Sequence, residues 1–415
     1  MKYGLIGKKL GHSFSSELHR RIGGYDYELK ELRQEELDAF FEERDFIGIN
    51  VTIPYKETVL PYLDEIDPLA AAIGSVNTVV NRCGKLSGYN TDLGGMIALI
   101  RRIHLDLCGK KVLILGTGGT SKTAHAAAKR LGAKEVYAVS RTGKGGALTY
   151  PEALDLHHDA DVIINTTPVG MYPNWCEHPL PLTSFSNLCG LVDAIYNPLQ
   201  TRLVLEARQR GIPAEGGLYM LVAQAVLASE LFTGRAIPSD TVDHVFRDIL
   251  REKSNLVLIG MPDSGKTTVG NKAAQILGRE FVDLDGWIEK RAGTSVPEII
   301  SRDGEAAFRQ MESAAVREIS VCNGLVIATG GGCVMRQENV NMLRQNGRLF
   351  LLNRPAGELR PSADRPLSDT MEKLEELFRL RMPVYRAAAD EIIESGATAS
   401  ETAEAVISLW NEVLT

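Results

Sequence analysis

The run Gly260-Met261-Pro262-Asp263-Ser264-Gly265-Lys266-Thr267 constrains the fold of this chain more than any other eight residues in it. It fits G-x-x-x-x-G-K-[S/T]; the apolar segment 256–259 leads in, and TVGNKAAQILG, with helical spacing, leads out. Strand, glycine-rich loop and helix in that order aim backbone N–H groups and a helix N-terminus at a phosphate. The motif predicts that Lys266 reaches the β- and γ-phosphates of a nucleotide and that the Thr267 hydroxyl ligates Mg²⁺. Gly260, Ser264, Gly265 and Thr268 complete the expected nucleotide contacts. Two more apolar segments precede turns in the same manner, 111–115 before GTGGT and 162–165 before TTPVG. Strands alternating with helices predict parallel sheets, so the fold class is α/β.

Length and composition narrow the function classes. At 415 residues the chain exceeds what one hydrophobic core usually serves, and 44% hydrophobic with 24% charged residues is globular composition. The net charge of -7 divides as -3 before Arg251 and -4 from there on, so neither part carries a basic nucleic-acid footprint. Six cysteines show no CxxC or zinc-like spacing and are expected to be small buried residues in a reducing compartment. The start, MKYGLIGKKLGHS, has no apolar signal region, and the longest apolar stretch, 217–232, is too short for a bilayer. A cytoplasmic location, with no membrane, nucleic-acid or obligate protein partner, is the expectation. Residues 251–254 follow an amphipathic pattern over 241–250 and precede a strand, which places a short linker there.

Downstream of the phosphate loop stand FVDLD (281–285), GEAAFRQME (304–312), ATGGG (328–332), DRPL (364–367) and RMPVYRAAAD (381–390). With these motifs, 254–415 resembles shikimate kinase. The resemblance implies a P-loop NTPase domain of the nucleoside monophosphate kinase-like type, using ATP and Mg²⁺ on shikimate. It implies that Arg309 and Arg381 clamp the substrate carboxylate, and that Asp285 holds the hydroxyl to be phosphorylated and takes its proton. It further implies that Gly330, Gly331 and Gly332 approach the ring and that Asp283 helps place Mg²⁺. Arg365 would stabilise the transferring phosphoryl group from a lid near 353–370, and Arg360 would stack on adenine. Taken singly, Asp283 and Asp285 also read as a solvated strand end, and Arg309 with Glu312 as a helix-surface ion pair.

The loop Gly116-Thr117-Gly118-Gly119-Thr120-Ser121 follows KVLIL and opens a helix, a G-x-G-x-x-G pattern with serine in third place. The next strand ends Ser140-Arg141-Thr142, and an arginine there suits the 2′-phosphate of NADP better than the ribose of NAD. Around this loop lie GHSFSSELH (11–19), GINVTIPYKE (48–57), AIGSVNTV (72–79), GYNTD (88–92), INTTPVGM (164–171), DAIYNPLQT (193–201) and GLYMLVAQA (217–225). With them, residues 1 to about 250 resemble shikimate dehydrogenase. The resemblance implies an α/β substrate domain and a Rossmann-like NADP domain, with Met220 beside the cofactor. Reducing a ketone by hydride requires a proton donor at the nascent alkoxide. By the resemblance Lys56 is that donor and Asp92 orients it. Ser13 and Ser15 hold the carboxylate, while Thr52, Asn77, Tyr196 and Gln224 bind the rest of the substrate. Between Arg141 and INTTP the chain is shorter than usual, so a helix or strand is expected to be absent and Lys144 has no clean counterpart. His157 and His158 read as a helix end, and His12 as structural.

The expected domains are therefore 1–93 with 218–250 for substrate, the latter as a closing helix, 94–217 for NADP, a linker at 251–254, and 255–415 for the kinase. The expected function is reduction of 3-dehydroshikimate by NADPH followed by phosphorylation of shikimate by ATP. Two rivals remain open at this point: a quinate/shikimate dehydrogenase using NAD fused to a small-molecule kinase, and a ligand sensor without turnover.

Overall fold

The computed structural model describes residues 1–11, 14–360 and 370–413. The chain divides into two compact units, Met1–Asp248 and Ile249–Thr415. The first unit holds two sheets and the second holds one.

The first sheet comprises β1 (Tyr3–Gly7), β2 (Glu28–Glu31), β3 (Gly48–Val51), β4 (Glu65–Ile66), β5 (Thr78–Arg82) and β6 (Lys85–Tyr89) in the order β2-β1-β3-β5-β6-β4. It is mixed: β1 runs parallel to β2 and β3, whereas β5 runs antiparallel to β3 and β6. Cys83-Gly84 closes the β5–β6 hairpin with both residues at positive φ (54° and 86°), as a two-residue hairpin turn demands. That position leaves Cys83 exposed, and against expectation Cys108, Cys176 and Cys322 are exposed as well, with Cys333 alone fully buried.

The second sheet comprises β7 (Lys111–Leu115), β8 (Glu135–Ser140), β9 (Leu148–Thr149), β10 (Val162–Asn165), β11 (Gly190–Asp193) and β12 (Ala214–Glu215). Its order is β12-β11-β10-β7-β8-β9 and every neighbour pair is parallel. Counted from β7, this is the 3-2-1-4-5-6 order of a dinucleotide-binding sheet, whose direction reverses between β7 and β10. The stretch after Arg141 holds both a strand and a helix, each short: β9 has two residues and the following helix, Tyr150–Leu156, seven.

Helix Thr91–Arg102 packs against helix Leu218–Thr233 so closely that a methyl at Gly95 would lie 2.7 Å from the Met220 carbonyl oxygen. The expected single helix over 218–250 is two, because Gly234 caps the first in a left-handed conformation (φ 66°) before a second spans Thr241–Lys253. Residues 251–253, expected to link the domains, are the last turn of that second helix. Among the described residues no helix is long and apolar enough to cross a membrane.

At the end of β11 the carboxylate of Asp193 is fully buried. It accepts from Thr201 Oγ1 (2.7 Å), Ile195 N (3.0 Å) and Asn165 Nδ2 (3.1 Å), and burial still pushes its pKa up to about 6. Burial pushes the His19 imidazole the other way, down to about 3. The two act oppositely on stability. A raised carboxylate pKa costs stability as pH rises from about 4 to about 6; a depressed imidazole pKa costs stability as pH falls from about 6.5 toward 3. Asp193→Asn should therefore make the first unit lose stability more steeply on acidification than the parent. The expected excess is about 1.4 kcal/mol per pH unit between pH 6 and 4 in urea titrations. Parallel pH curves for variant and parent would contradict this.

The third sheet comprises β13 (Asn255–Ile259), β14 (Phe281–Asp283), β15 (Val326–Ala328), β16 (Gly347–Asn353) and β17 (Glu391–Glu394) in the all-parallel order β14-β15-β13-β16-β17. Leu256, Leu258, Phe350 and Leu352 form its core with Trp410. With β13 in the centre, the glycine loop that leaves it lies between connections running to opposite sides.

Candidate active sites

In the first unit, Lys56 follows β3 and Asp92 stands in the first turn of helix Thr91–Arg102, which Asn90 caps. A carboxylate in that turn is favoured by the helix dipole. Lys56 Nζ donates to Asp92 Oδ2 at 2.6 Å, with side chains only 15% and 8% exposed. Asp92 Oδ1 accepts from Asn77 Nδ2 at 3.0 Å, and Asn77 also lies 3.4 Å from Gln224 Oε1. The Asn77 amide oxygen accepts from Thr91 N at 2.7 Å, which fixes which end of the amide faces Asp92. An ammonium locked on a carboxylate beside two amides can hold a hydroxyl and deliver a proton to an alkoxide.

Ser15 opens helix Ser15–Gly23 and is buried; the preceding Phe14 packs its ring 5.4 Å from that of Tyr196. Burial raises the Tyr196 phenol pKa, so it remains a neutral donor. Thr52 is half-buried, and its backbone N–H donates to Ile6 O at 3.0 Å. Ser13 and His12 lie outside the described residues.

The loop after β7 turns at Gly116 (φ 111°), and Ser121 Oγ closes it by donating to Gly116 O at 2.7 Å. A methyl at Gly118 would meet nothing within 4 Å, an open cradle for a diphosphate at the N-terminus of helix Gly119–Arg130. A methyl at Gly119 would stand 3.2 Å from Ser75 Oγ and 3.6 Å from Lys56 Cδ, so the loop abuts the lysine. Ser140 Oγ accepts from Gly143 N at 3.0 Å, while Arg141 and Thr142 are exposed at the end of β8. Lys144 is exposed in the next turn; His157 caps helix Tyr150–Leu156, and His158 follows it. Met220 is buried among Leu93, Met96 and Ala124. The loop and the exposed arginine fit a dinucleotide carrying an extra phosphate.

In the second unit a cavity of about 260 Å³ is lined by Lys266, Thr267, Asp283, Asp285, Arg309 and Arg381, together with Gly330, Gly331 and Gly332. Gly260 (φ 148°) and Gly265 (φ 87°) allow the loop's turns. Lys266 Nζ is folded back onto the carbonyls of Gly260 (2.9 Å) and Met261 (2.8 Å) and lies 3.4 Å from Ser264 Oγ. Thr268, beside Thr267 in the first turn of helix Lys266–Leu277, also lines the cavity. Thr267 Oγ1 donates to Asp283 Oδ2 at 2.6 Å, and Asp283 Oδ1 caps helix Leu284–Ala292 through Asp285 N (3.1 Å) and Gly286 N (3.2 Å). A hydroxyl and a carboxylate suit Mg²⁺, which completes its shell with water and phosphate oxygens. Among the described residues no cluster of three or more His, Cys, Asp or Glu stands ready to hold a metal by itself.

Arg309 Nη1 donates to Glu312 Oε2 at 2.9 Å. Glu312 is fully buried, which overturns the surface reading of this pair. Burial lowers the guanidinium's pKa, but Glu312 and Glu305 outweigh it and hold the group above its ordinary value; burial raises the Glu312 carboxyl. Arg381 is buried one helical turn before Tyr385, whose hydroxyl donates to Gly331 O. The Arg360 backbone N–H donates to Asp263 Oδ2 at 3.0 Å and its side chain is exposed; Arg365 lies outside the described residues. Thr91 and Glu312 do work that motif reading missed. Their positions inside GYNTD and GEAAFRQME were visible, but their burial was not.

Comparison with known proteins agrees with this geometry. The family model "Shikimate kinase" matches residues 262–411, and "Shikimate dehydrogenase substrate binding domain" matches residues 5–79. The NADP(+) shikimate dehydrogenase of Halothermothrix orenii is 41% identical over 260 residues, covering 56% of this chain and 90% of that protein. That of a Bacillus cereus strain is 36% identical, covering 56% and 92%. Among solved structures, shikimate dehydrogenase 1 from Peptoclostridium difficile superposes with TM-score 0.56 at 35% identity, covering 60% of this chain and 98% of that one. The Thermus thermophilus shikimate 5-dehydrogenase, solved with NADP(H) and shikimate, gives TM-score 0.54 at 31% identity, covering 60% and 99%. With its loop, its Lys56–Asp92 pair and these relatives, the chain belongs to the shikimate dehydrogenase family through its first unit and carries a shikimate kinase domain in its second.

Proposed function

We propose that the chain performs two consecutive steps: NADPH-dependent reduction of 3-dehydroshikimate to shikimate, then ATP-dependent phosphorylation of the hydroxyl just formed. The observation that carries the reading is the Lys56–Asp92 contact at 2.6 Å beside the loop glycine Gly119. Bound NADPH supplies the hydride and bound MgATP the phosphoryl group. Lys56 gives its proton to the alkoxide, and Asp92 holds both the ammonium and a substrate hydroxyl. Asn77, Gln224 and Thr52 bind the remaining hydroxyls, while Ser15, Ser13 and Tyr196 take the carboxylate. A pocket of this kind discriminates strongly against substrates lacking a hydroxyl.

In the kinase half Arg309 and Arg381 take the shikimate carboxylate, and Asp285 accepts the proton of the attacking hydroxyl. Lys266 and Arg365 neutralise the transferring group, and Thr267 with Asp283 holds Mg²⁺.

The test is one reaction mixture of chain, 3-dehydroshikimate, NADPH, ATP and Mg²⁺, with products identified by mass. Shikimate 3-phosphate with NADPH consumed is the expected outcome; unchanged substrate would refute the reading and return the ligand sensor to consideration. Quinate with NAD, run in parallel, should turn over more slowly than shikimate with NADP. Arg141→Ser should raise the KM for NADPH about tenfold, the worth of one charge-assisted phosphate contact, and leave the KM for NADH nearly unchanged. Equal effects on both cofactors would remove Arg141 from the 2′-phosphate.

A further inference from the structure

Asn50 is the third residue of β3, paired with Thr78 on β5, and only 5% exposed. Every polar atom of its side chain is engaged. Its Nδ2 donates to Asn77 O at 3.2 Å and to Thr78 Oγ1 at 3.0 Å, and its Oδ1 accepts from the Tyr27 hydroxyl at 2.7 Å. Tyr27 is held in turn: its ring lies parallel to that of His19 with centroids 4.0 Å apart. The His19 Nδ1 lies 2.7 Å from the Tyr25 hydroxyl and 3.1 Å from Ser229 Oγ. None of these groups has a task in the chemistry proposed above.

Counting protons shows what the arrangement does. A threonine hydroxyl has one proton to give and two lone pairs to fill. Because Asn50 Nδ2 can only donate, Thr78 Oγ1 must accept from it, and the threonine's own proton is then free for Asn77 Oδ1 at 3.1 Å, with Thr91 Oγ1, also at 3.1 Å, the other group within reach. With its oxygen held by Thr78 and by Thr91 N (2.7 Å), the Asn77 amide presents Nδ2, not Oδ1, to Asp92. Asp92 then meets Lys56 with its other oxygen. The buried end thus makes Thr78 a donor toward Asn77, in the same sense as the bond from Thr91 N. A buried network that is fully satisfied in one sense has a costly alternative in the other.

We propose that Asn50 is a positioning residue of the reductase, supplying through Thr78 a second hold on the Asn77 amide oxygen beside that of Thr91 N and so helping to keep the Asp92–Lys56 pair in register. This rests on the proposed reduction and adds a residue four hydrogen bonds removed from the Lys56 ammonium.

The test uses the full chain with Asn50→Asp, Thr78→Val, Thr78→Ser and the double variant Asn50→Asp/Thr78→Val. Asn50→Asp keeps shape and the acceptor for Tyr27 but turns the donor into an acceptor, drawing the Thr78 proton away from Asn77. It should lower kcat for 3-dehydroshikimate reduction about 10- to 100-fold, the usual consequence of a misplaced catalytic group. The KM for NADPH and the rate of shikimate phosphorylation by the same chain should stay within twofold of the parent. Thr78→Val should show a similar loss, and Thr78→Ser, which keeps the hydroxyl, should restore the parent rate. The double variant should be no slower than the worse single one, since both remove the same link. If Asn50→Asp does not fold, the Thr78→Val and Thr78→Ser pair decides alone. Multiplying losses in the double variant, or Thr78→Val at the parent rate, overturns the inference. A parent chain that fails to reduce 3-dehydroshikimate overturns the proposed function itself, whereas an active parent with unaffected variants overturns this inference alone.

Discussion

Lys56→Met should reduce 3-dehydroshikimate about 10²- to 10⁴-fold more slowly than the parent, the range that one positioned general acid contributes. The loss should fall on kcat more than on the KM for NADPH, because the proposed mechanism has the ammonium act on the developing alkoxide rather than on the cofactor. Shikimate phosphorylation by the same chain should be unchanged, since Lys56 lies in the first unit and the phosphate loop in the second. Lys56 and Asp92 are both mostly buried at 2.6 Å, so Lys56→Met also strands a carboxylate. Asp92→Asn is the companion measurement, and it should lose kcat to a similar degree because the two act as a pair. A Lys56→Met enzyme within tenfold of the parent would move the proton donor elsewhere.

Arg309→Met should be the most damaging substitution in the second unit. Glu312 is fully buried, and its carboxylate depends on the guanidinium 2.9 Å away. Breaking a buried pair by removing one partner costs about 3–5 kcal/mol, because the remaining charge has no compensation. The midpoint of denaturant unfolding for this unit should drop accordingly, and the KM for shikimate should rise. The sign with pH is distinctive. Burial already raises the Glu312 pKa, so a group made still harder to ionise recovers stability when protonated; the deficit should shrink as pH falls. Glu305, on the same arginine at 3.1 Å but largely exposed, gives the contrast. Glu305→Gln should cost no more than about 1 kcal/mol. Equal destabilisation by Glu305→Gln and Arg309→Met would refute the argument from burial.

The residues legible beforehand share a physical property: their geometry is local. A strand, a glycine turn and a helix start follow one another in the chain, so Gly116–Gly119 and Gly260–Thr267 announce their own backbone shape. What stayed hidden depends on partners far away in sequence. Asn50 gains its meaning only from the β3–β5 register that sets it opposite Thr78, 28 residues on. Glu312, three residues after Arg309, has the same spacing whether that helix face meets water or a core. The break at Gly234 was readable in principle, since glycine ends helices, but apolar residues on both sides masked it. The short β9 could not be inferred because two residues carry no periodicity.

The contact between Gly119 and Lys56 has a bearing on how this enzyme can change over time. The glycine acts as a machined clearance between the loop after β7 and Lys56: a methyl would already crowd Ser75 Oγ at 3.2 Å, and anything longer would occupy the space of the Lys56 stem. With Lys56 as the proposed proton donor, drift at that glycine would be felt as damage to the chemistry itself. Arg141, exposed at the tip of β8, touches no such joint. On the roles proposed for Arg141 and Lys56, preference between dinucleotides should be open to change there without disturbing the acid, so that cofactor choice and reactive power would be separately adjustable along one sheet.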